Sequence, residues 1–164
     1  FLNLAIQLKR CLKSFAIPLI INDRLDIALA CDADAQHNAQ NDIPYEIARR
    51  MLGKDNIIGK KKKKIQDVIE ANKLDVDYIG ISPVFSTPTK TDTAEALGLD
   101  GVREITKLSE HPSVGIGGIN LSNAHEVIAA GADGISVVSA IMSHPDPRLS
   151  AIQLKDIVVK NKLK

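Results

Sequence analysis

The residues best suited to chemistry in this chain stand just behind apolar runs. Val76-Asp-Tyr-Ile-Gly-Ile81 reads as a buried strand that runs into a loop carrying Ser82, Thr87, Thr89 and Lys90, punctuated by Pro83 and Pro88. Hydroxyls and a lysine at the carboxyl end of a buried strand are how α/β enzymes present polar groups to a ligand. Leu19-Ile-Ile21 ends in a similar way at Asn22-Asp-Arg24. An aspartate there can bind a divalent cation and an asparagine can donate to a ring or a phosphate; both can equally cap the helix that follows. Asp42, behind Gln40 and Asn41, admits the same two readings. Two carboxylates at the ends of adjacent strands could share one Mg²⁺, which keeps several waters and also takes substrate phosphate oxygens. Gly115-Ile-Gly-Gly118, ahead of a helix, offers free amides and close backbone approach, a ready anion site. Val138-Ser139 adds another amide and hydroxyl.

Other polar residues carry weaker signals. His37, His111, His125 and His144 have neither metal-ligand spacing nor triad partners, and His37 reads as structural. The run Lys60 to Lys64 has the character of a solvated charged face. Lys60 nevertheless follows a strand directly, where loop residues face a site.

The elements that must position these groups alternate. Phe1 to Phe15 carries a helical stripe at Leu2, Ala5, Ile6, Leu8 and Leu12. Strand and helix then follow one another six times. Strands are expected at 19–21, 33–38, 56–59, 76–81, 114–119 and 134–140. Helices are expected at 25–30, 42–52, 65–72, 99–108, 122–130 and 149–160, with Gly53 and Gly131 as stops. Gln36 and Asn38 make the second strand a poor one. Such alternation implies α/β architecture with a parallel sheet. A closed eight-fold barrel typically needs about 250 residues, with compact examples near 200. Six units in 164 residues therefore fit a (β/α)8 TIM barrel lacking its first two strands. No Gly-x-Gly-x-x-Gly follows an early strand, which disfavours an open dinucleotide-binding sheet. The chain starts at Phe1 inside a helix, so the expectation is one barrel domain over residues 1–164, incomplete at its N-terminus.

Composition narrows the class. Apolar residues make up 45 % but aromatics only 3 %, so the core must be Ile, Leu, Val and Ala, as in parallel strands covered by helices. Net charge is +1, yet Lys60 to Lys64 supply five of 21 basic residues, leaving 16 against 20 acids elsewhere. There is no dispersed basic face for nucleic acid, and no apolar stretch approaches the ~20 residues that span a bilayer. Cys11 and Cys31 are isolated thiols, as expected of a cytoplasmic protein. The oligomeric state is not readable, and a homo-oligomer is compatible with all of this.

Taken together, Pro18-Leu-Ile-Ile-Asn-Asp-Arg24, Phe85-Ser-Thr-Pro-Thr-Lys90, Gly115-Ile-Gly-Gly-Ile119 and Gly131-Ala-Asp-Gly-Ile-Ser-Val-Val-Ser-Ala140 closely resemble thiamine-phosphate synthase, in unbroken order from about Phe1 to Pro147. The resemblance implies a compact (β/α)8 barrel joining hydroxymethylpyrimidine diphosphate to thiazole phosphate with release of diphosphate, both small-molecule substrates. It implies Mg²⁺ on Asp23 and Asp42, with Asn22 and Lys90 acting on the pyrimidine diphosphate. It implies that Thr87, Pro88, Thr89, Gly118, Val138 and Ser139 hold the thiazole phosphate. The chain departs from the family pattern in three places. The Gln-x-Arg-x-Lys clamp belongs to the second barrel strand, which is not in this sequence. Ala33-Asp-Ala-Gln-His-Asn-Ala-Gln40 stands where Ala-Asp-Gly-Val-His-x-Gly-Gln is usual. Lys61 stands where a substrate-binding Ser is expected after Gly59.

Two other readings compete. Thiazole tautomerase resembles the synthase but uses a His in the loop after the sixth barrel strand, where the nearest match here is Pro83. A non-catalytic domain that binds a thiamine precursor, or half of a bifunctional chain, would tolerate the altered third and fourth barrel segments.

Overall fold

The computed structural model describes residues 1–39, 42–62, 64–87 and 95–162. They pack as two compact units, Phe1–Lys61 and Lys62–Lys164. In the first, helix α1 (Leu2–Lys13) precedes β1 (Ile20–Asn22), α2 (Leu25–Ala30), β2 (Ala35–Asn38), α3 (Tyr45–Leu52) and β3 (Ile57–Lys62), whose last residue opens the second unit. The second continues with α4 (Ile65–Ala71), β4 (Tyr78–Ile81), α5 (Gly98–Leu108), β5 (Ser113–Ile116), α6 (Ala124–Ala129), β6 (Gly134–Ser136), α7 (Ser139–Met142) and α8 (Pro147–Lys162).

Strand pairing is parallel wherever it is described. In the first unit Ile21 stands opposite Gln36, and Gln36 opposite Ile58. In the second, Gly80 pairs with Val114 and Gly115 with Ile135. Strand alternation sorts the side chains: Ile21, Ile58, Ile79 and Ile81 are buried, the last three completely. Each fully buried Ile contributes about 2–3 kcal/mol of transfer free energy. The helices cover the strands with small and branched residues, Ala28 and Ala48 in one unit and Val102, Ile105 and Val127 in the other. Gly115 lets α6 approach closely, since a Cβ there would meet Val127 Cγ1 at 2.6 Å.

The predicted elements are present, and their boundaries move for local reasons. Helix α3 starts at Tyr45 behind Pro44 rather than at Asp42, because proline lacks an amide and suits a helix start. Strand β3 runs on through Lys60, Lys61 and Lys62, where a loop was expected. Lys62 is buried, so the lysine run is not simply a solvated face. The final strand stops at Ser136, and Ser139 opens the short α7 instead of continuing it. Among the described residues no helix is long and apolar enough to cross a membrane.

Candidate functional site

The carboxyl end of β1 is a strained turn. Asp23 sits at φ +64°, in the left-handed region. Aspartate tolerates this better than most residues, but it still marks a position worth explaining. Its N–H donates to the His37 carbonyl at 2.9 Å, and the Arg24 N–H returns to the Asn22 carbonyl at 2.8 Å. The chain thus leaves the strand sharply, with Asn22 and Asp23 both exposed at its tip. Helix α2 begins after Arg24, whose side chain makes no cap bond.

At the end of β2, Asp42 accepts a hydrogen bond from the Ala39 N–H at 2.6 Å. It braces the exit of the strand and does not cap α3, which has no side-chain cap either. Asn38 donates from Nδ2 to the Ile43 carbonyl at 2.8 Å on the same exit. The three central residues of this strand end are buried and polar: Gln36, His37 and Asn38 are all under 9 % exposed. His37 shares a rung with Asn22 on one side and Gly59 on the other.

The second unit carries the other predicted groups. The loop behind β4 is bonded onto β5: the Val84 N–H donates to the Ile116 carbonyl at 2.8 Å and the Phe85 N–H to the Gly117 carbonyl at 3.1 Å. This requires glycine at two positions. Gly117 has φ +99° and faces Pro83; Gly118 has φ +65°, and a Cβ there would lie 2.7 Å from both Phe85 Cβ and the Ser86 carbonyl. The Gly118 carbonyl is held in turn by Asn123 Nδ2 at 3.1 Å, and the Asn120 N–H donates to Asn123 Oδ1 at 2.8 Å. Asn120 and Asn123 went unnoticed in the sequence, where an Asn-x-x-Asn pair behind a glycine turn is the available signal. Thr87, half-buried, follows this locked segment. Pro88, Thr89 and Lys90 lie outside the described residues, as do Gln40 and Asn41.

Val138 and Ser139 form the entry to α7, with Val138 as its N-cap and Ser139 its first residue. Both are exposed. Ser150 of α8, fully buried, donates from Oγ to the Ala140 carbonyl at 2.7 Å and anchors the short helix. A short extra helix behind a late strand is where phosphate is commonly held in (β/α)8 barrels.

Among the described residues no group of three or more His, Cys, Asp or Glu side chains is placed to hold a metal ion. The donors that are present at the strand ends, Asp23 and Asp42, are hard oxygen donors. One or two carboxylates completed by water and phosphate suit Mg²⁺.

Comparison with known proteins gives the family. The family model described as thiamine monophosphate synthase matches residues 1–141. The chain is 51 % identical over 160 residues to a thiamine-phosphate synthase of Leptospira biflexa, covering 95 % of this chain and 76 % of that one. It is 46 % identical over 158 residues to the thiamine-phosphate synthase of Albidiferax ferrireducens, covering 96 % and 72 %. Among solved structures, thiamine phosphate pyrophosphorylase from Pyrococcus furiosus matches with a TM-score of 0.88 at 35 % identity over 98 % of this chain and 76 % of that one. A 3-hexulose-6-phosphate synthase from Salmonella typhimurium shares the fold alone, with a TM-score of 0.75 at 13 % identity over 98 % and 81 %. The architecture is accordingly α/β, with six strand–helix units of a TIM-like barrel.

Proposed function

The chain belongs to the thiamine monophosphate synthase family, and on that premise we propose that it condenses hydroxymethylpyrimidine diphosphate with thiazole phosphate to thiamine phosphate and diphosphate. The observation that carries this reading is the 51 % identity over 160 residues to a thiamine-phosphate synthase. The relatives cited are synthases, so neither the tautomerase nor the non-catalytic binding domain is favoured. The disposition of polar groups supports the reading, because each unit ends in residues suited to one of the two substrates.

In the first unit, Asn22 at the tip of β1 would bind the pyrimidine diphosphate, the substrate toward which the family resemblance also assigns the charge of Lys90. Asp23 and Asp42 would hold Mg²⁺, which when bound neutralises negative charge on the diphosphate. In the second unit, Thr87, Gly118, Val138 and Ser139, with Pro88 and Thr89, would hold the thiazole phosphate through hydroxyls and backbone amides. The reaction needs little else from the protein. The carbon–oxygen bond to the diphosphate breaks and its electron pair leaves with the diphosphate. The thiazole nitrogen then supplies the pair for the new carbon–nitrogen bond to the pyrimidine-methyl cation. Fixed donors around departing and developing charge account for such catalysis without a protein nucleophile. Charged, water-soluble substrates and the free thiols of Cys11 and Cys31 suit a cytoplasmic enzyme.

The test is formation of thiamine phosphate by the full-length protein from the two precursors with Mg²⁺. A folded protein that yields no product overturns the proposal. Asp23→Asn is expected to raise the Mg²⁺ requirement or abolish turnover while leaving thiazole phosphate binding intact; unchanged kinetics would remove Asp23 from the metal site.

A further inference from the structure

We propose that Asn123 is a positioning residue for the thiazole phosphate: the N–H of its carboxamide fixes the Gly118 peptide, so that the turn behind β5 keeps its amides toward the phosphate. This role rests on the synthase reading for the identity of the ligand.

The turn leaves β5 with two consecutive carbonyls tied down. The Gly117 carbonyl accepts the Phe85 N–H at 3.1 Å, and the Gly118 carbonyl accepts Asn123 Nδ2 at 3.1 Å. In a trans peptide the carbonyl and the following N–H point in opposite directions within one plane. Holding the two carbonyls therefore turns the N–H of Gly118 away from Phe85 and the N–H of Ile119 away from Asn123. Neither N–H donates to a backbone carbonyl among the described residues. Gly117 and Gly118 have φ of +99° and +65°, and successive free amides in such a turn make an anion-binding concavity. Glycine adopts either sign of φ with ease, so these peptides keep their orientation only while their carbonyls are held.

One anchor is main chain; the other depends on a single side chain. Asn120 Nδ2 lies 3.5 Å from the Gly118 carbonyl, too long to replace Asn123. Its Oδ1 is engaged by the Ser122 N–H at 2.9 Å. Asn123 does two things at once. Its Oδ1 accepts the Asn120 N–H at 2.8 Å and closes the turn that leads into α6. A carboxylate would close that turn equally well, as a Glu does when it reaches back to an N–H three residues earlier at a helix start. It could not donate to the Gly118 carbonyl, and its charge would stand beside amides that face a phosphate. Only the carboxamide supplies both an acceptor and a donor. The acceptor braces the turn, and the donor orients the phosphate amides.

The test measures binding of thiazole phosphate by calorimetry, and the melting temperature, for the full-length protein and its Asn123→Asp, Asn123→Ala and Ser122→Ala variants. Asn123→Asp and Asn123→Ala are each expected to weaken binding roughly tenfold, the scale of one lost hydrogen bond to a charged ligand. Asn123→Asp should melt near the parent because it keeps the acceptor, whereas Asn123→Ala should melt lower. Ser122→Ala loosens the same turn without touching Gly118 and should bind as the parent does. In turnover, Asn123→Ala should raise KM for thiazole phosphate and leave KM for the pyrimidine diphosphate unchanged. Parent affinity in either Asn123 variant overturns the proposal, and so does an equal loss in Ser122→Ala. Where Asn123→Ala fails to fold, Asn123→Asp decides: a loss that persists at high salt, against the parent at the same salt, is the missing donor, and one that vanishes is screened repulsion and overturns the role. Should the parent bind thiazole phosphate through Asn123 yet make no thiamine phosphate, the synthase reading fails while the role of Asn123 stands.

Discussion

The strand pairs β1–β2 and β5–β6 begin alike and end differently. Ahead of β2, Asp34 donates its N–H to the Leu19 carbonyl at 3.1 Å, and its Oδ2 accepts the Leu19 N–H at 2.7 Å. Ahead of β6, Asp133 does the same with Ser113, at 2.8 and 2.9 Å. The remaining carboxylate oxygen takes a lysine in both cases, Lys9 at 2.6 Å and Lys162 at 3.3 Å. At the carboxyl ends nothing is shared. The first pair ends in a strained Asp23 and a buried polar strand; the second ends in a glycine turn locked by Asn123 and a short helix. The repeated locks stand at the amino ends, and the two pairs differ at the carboxyl ends, the side on which strands of (β/α)8 barrels generally carry their chemistry.

The largest expected effect breaks the carboxyl end of the second pair. Gly118→Ala imposes a left-handed φ on a side chain and drives its Cβ into Phe85 and Ser86. Strain and overpacking together should cost roughly 2–5 kcal/mol, read as a lower urea midpoint. A change under about 0.5 kcal/mol, the scale of neutral surface changes, would show that the turn adapts.

Removing the amino-end lock comes next. Asp133→Ala leaves the N–H of Ser113, itself 2 % exposed, without its carboxylate partner. The expected loss is about 1–3 kcal/mol. Asp34→Ala should cost less, since Leu19 is 7 % exposed and water can reach its amide more easily. Equal costs would mean that the two locks differ in context less than burial indicates.

A third change should act in the opposite direction. Gln36 is fully buried, and its Oε1 has no hydrogen-bond partner among the described residues. Its Nε2 makes only a 3.3 Å contact with the His37 carbonyl. Gln36→Leu should raise stability by about 1–2 kcal/mol, because the desolvated amide is replaced by an apolar group of similar size. A lower melting temperature would mean that the carboxamide has a partner in solution.

The smallest effect is a pH dependence. The hydrogen bond from Lys9, and then that from the Leu19 N–H, hold the Asp34 carboxyl below its ordinary value. A carboxyl held low adds stability that is fully present above its unfolded pKa of about 4 and is lost as pH falls through the lower folded value. Acidification below about pH 4 should therefore lower the melting temperature of the parent more than that of Asp34→Asn. Parallel curves would show that Asp34 is not one of the groups behind acid sensitivity.

Much of the fold is readable from the order of apolar runs. Leu19-Ile-Ile21, Tyr78-Ile-Gly-Ile81 and Ser113-Val-Gly-Ile116 behave as strands because their side chains can be buried whatever their neighbours are. The strand at Gln36-His-Asn38 is the instructive case. Its own residues argue against it, and it forms because β1 and β3 pair with it on either side. Lys60 is similar: charge predicted a loop, and its pairing opposite Asn38 carries the strand into it. The locks at Asp34 and Asp133 were written in the sequence as the repeated Ala-Asp before a strand, at Ala33-Asp34 and Ala132-Asp133, but a short repeat has no meaning until the partner amide is known.

By itself, then, the sequence determined the class of chemistry: two aspartates, an asparagine, a glycine turn and hydroxyls placed behind apolar runs, in an order that matches a family. These are covalent facts of residue type and spacing. Tertiary structure alone decided what each of them does locally. Asp23 leaves β1 in a left-handed turn with its amide held by the His37 carbonyl, and Gly118 is required by the approach of Phe85 and Ser86. Each of those outcomes depends on contacts between residues far apart in the chain, through parallel register or close packing. No local propensity encodes them.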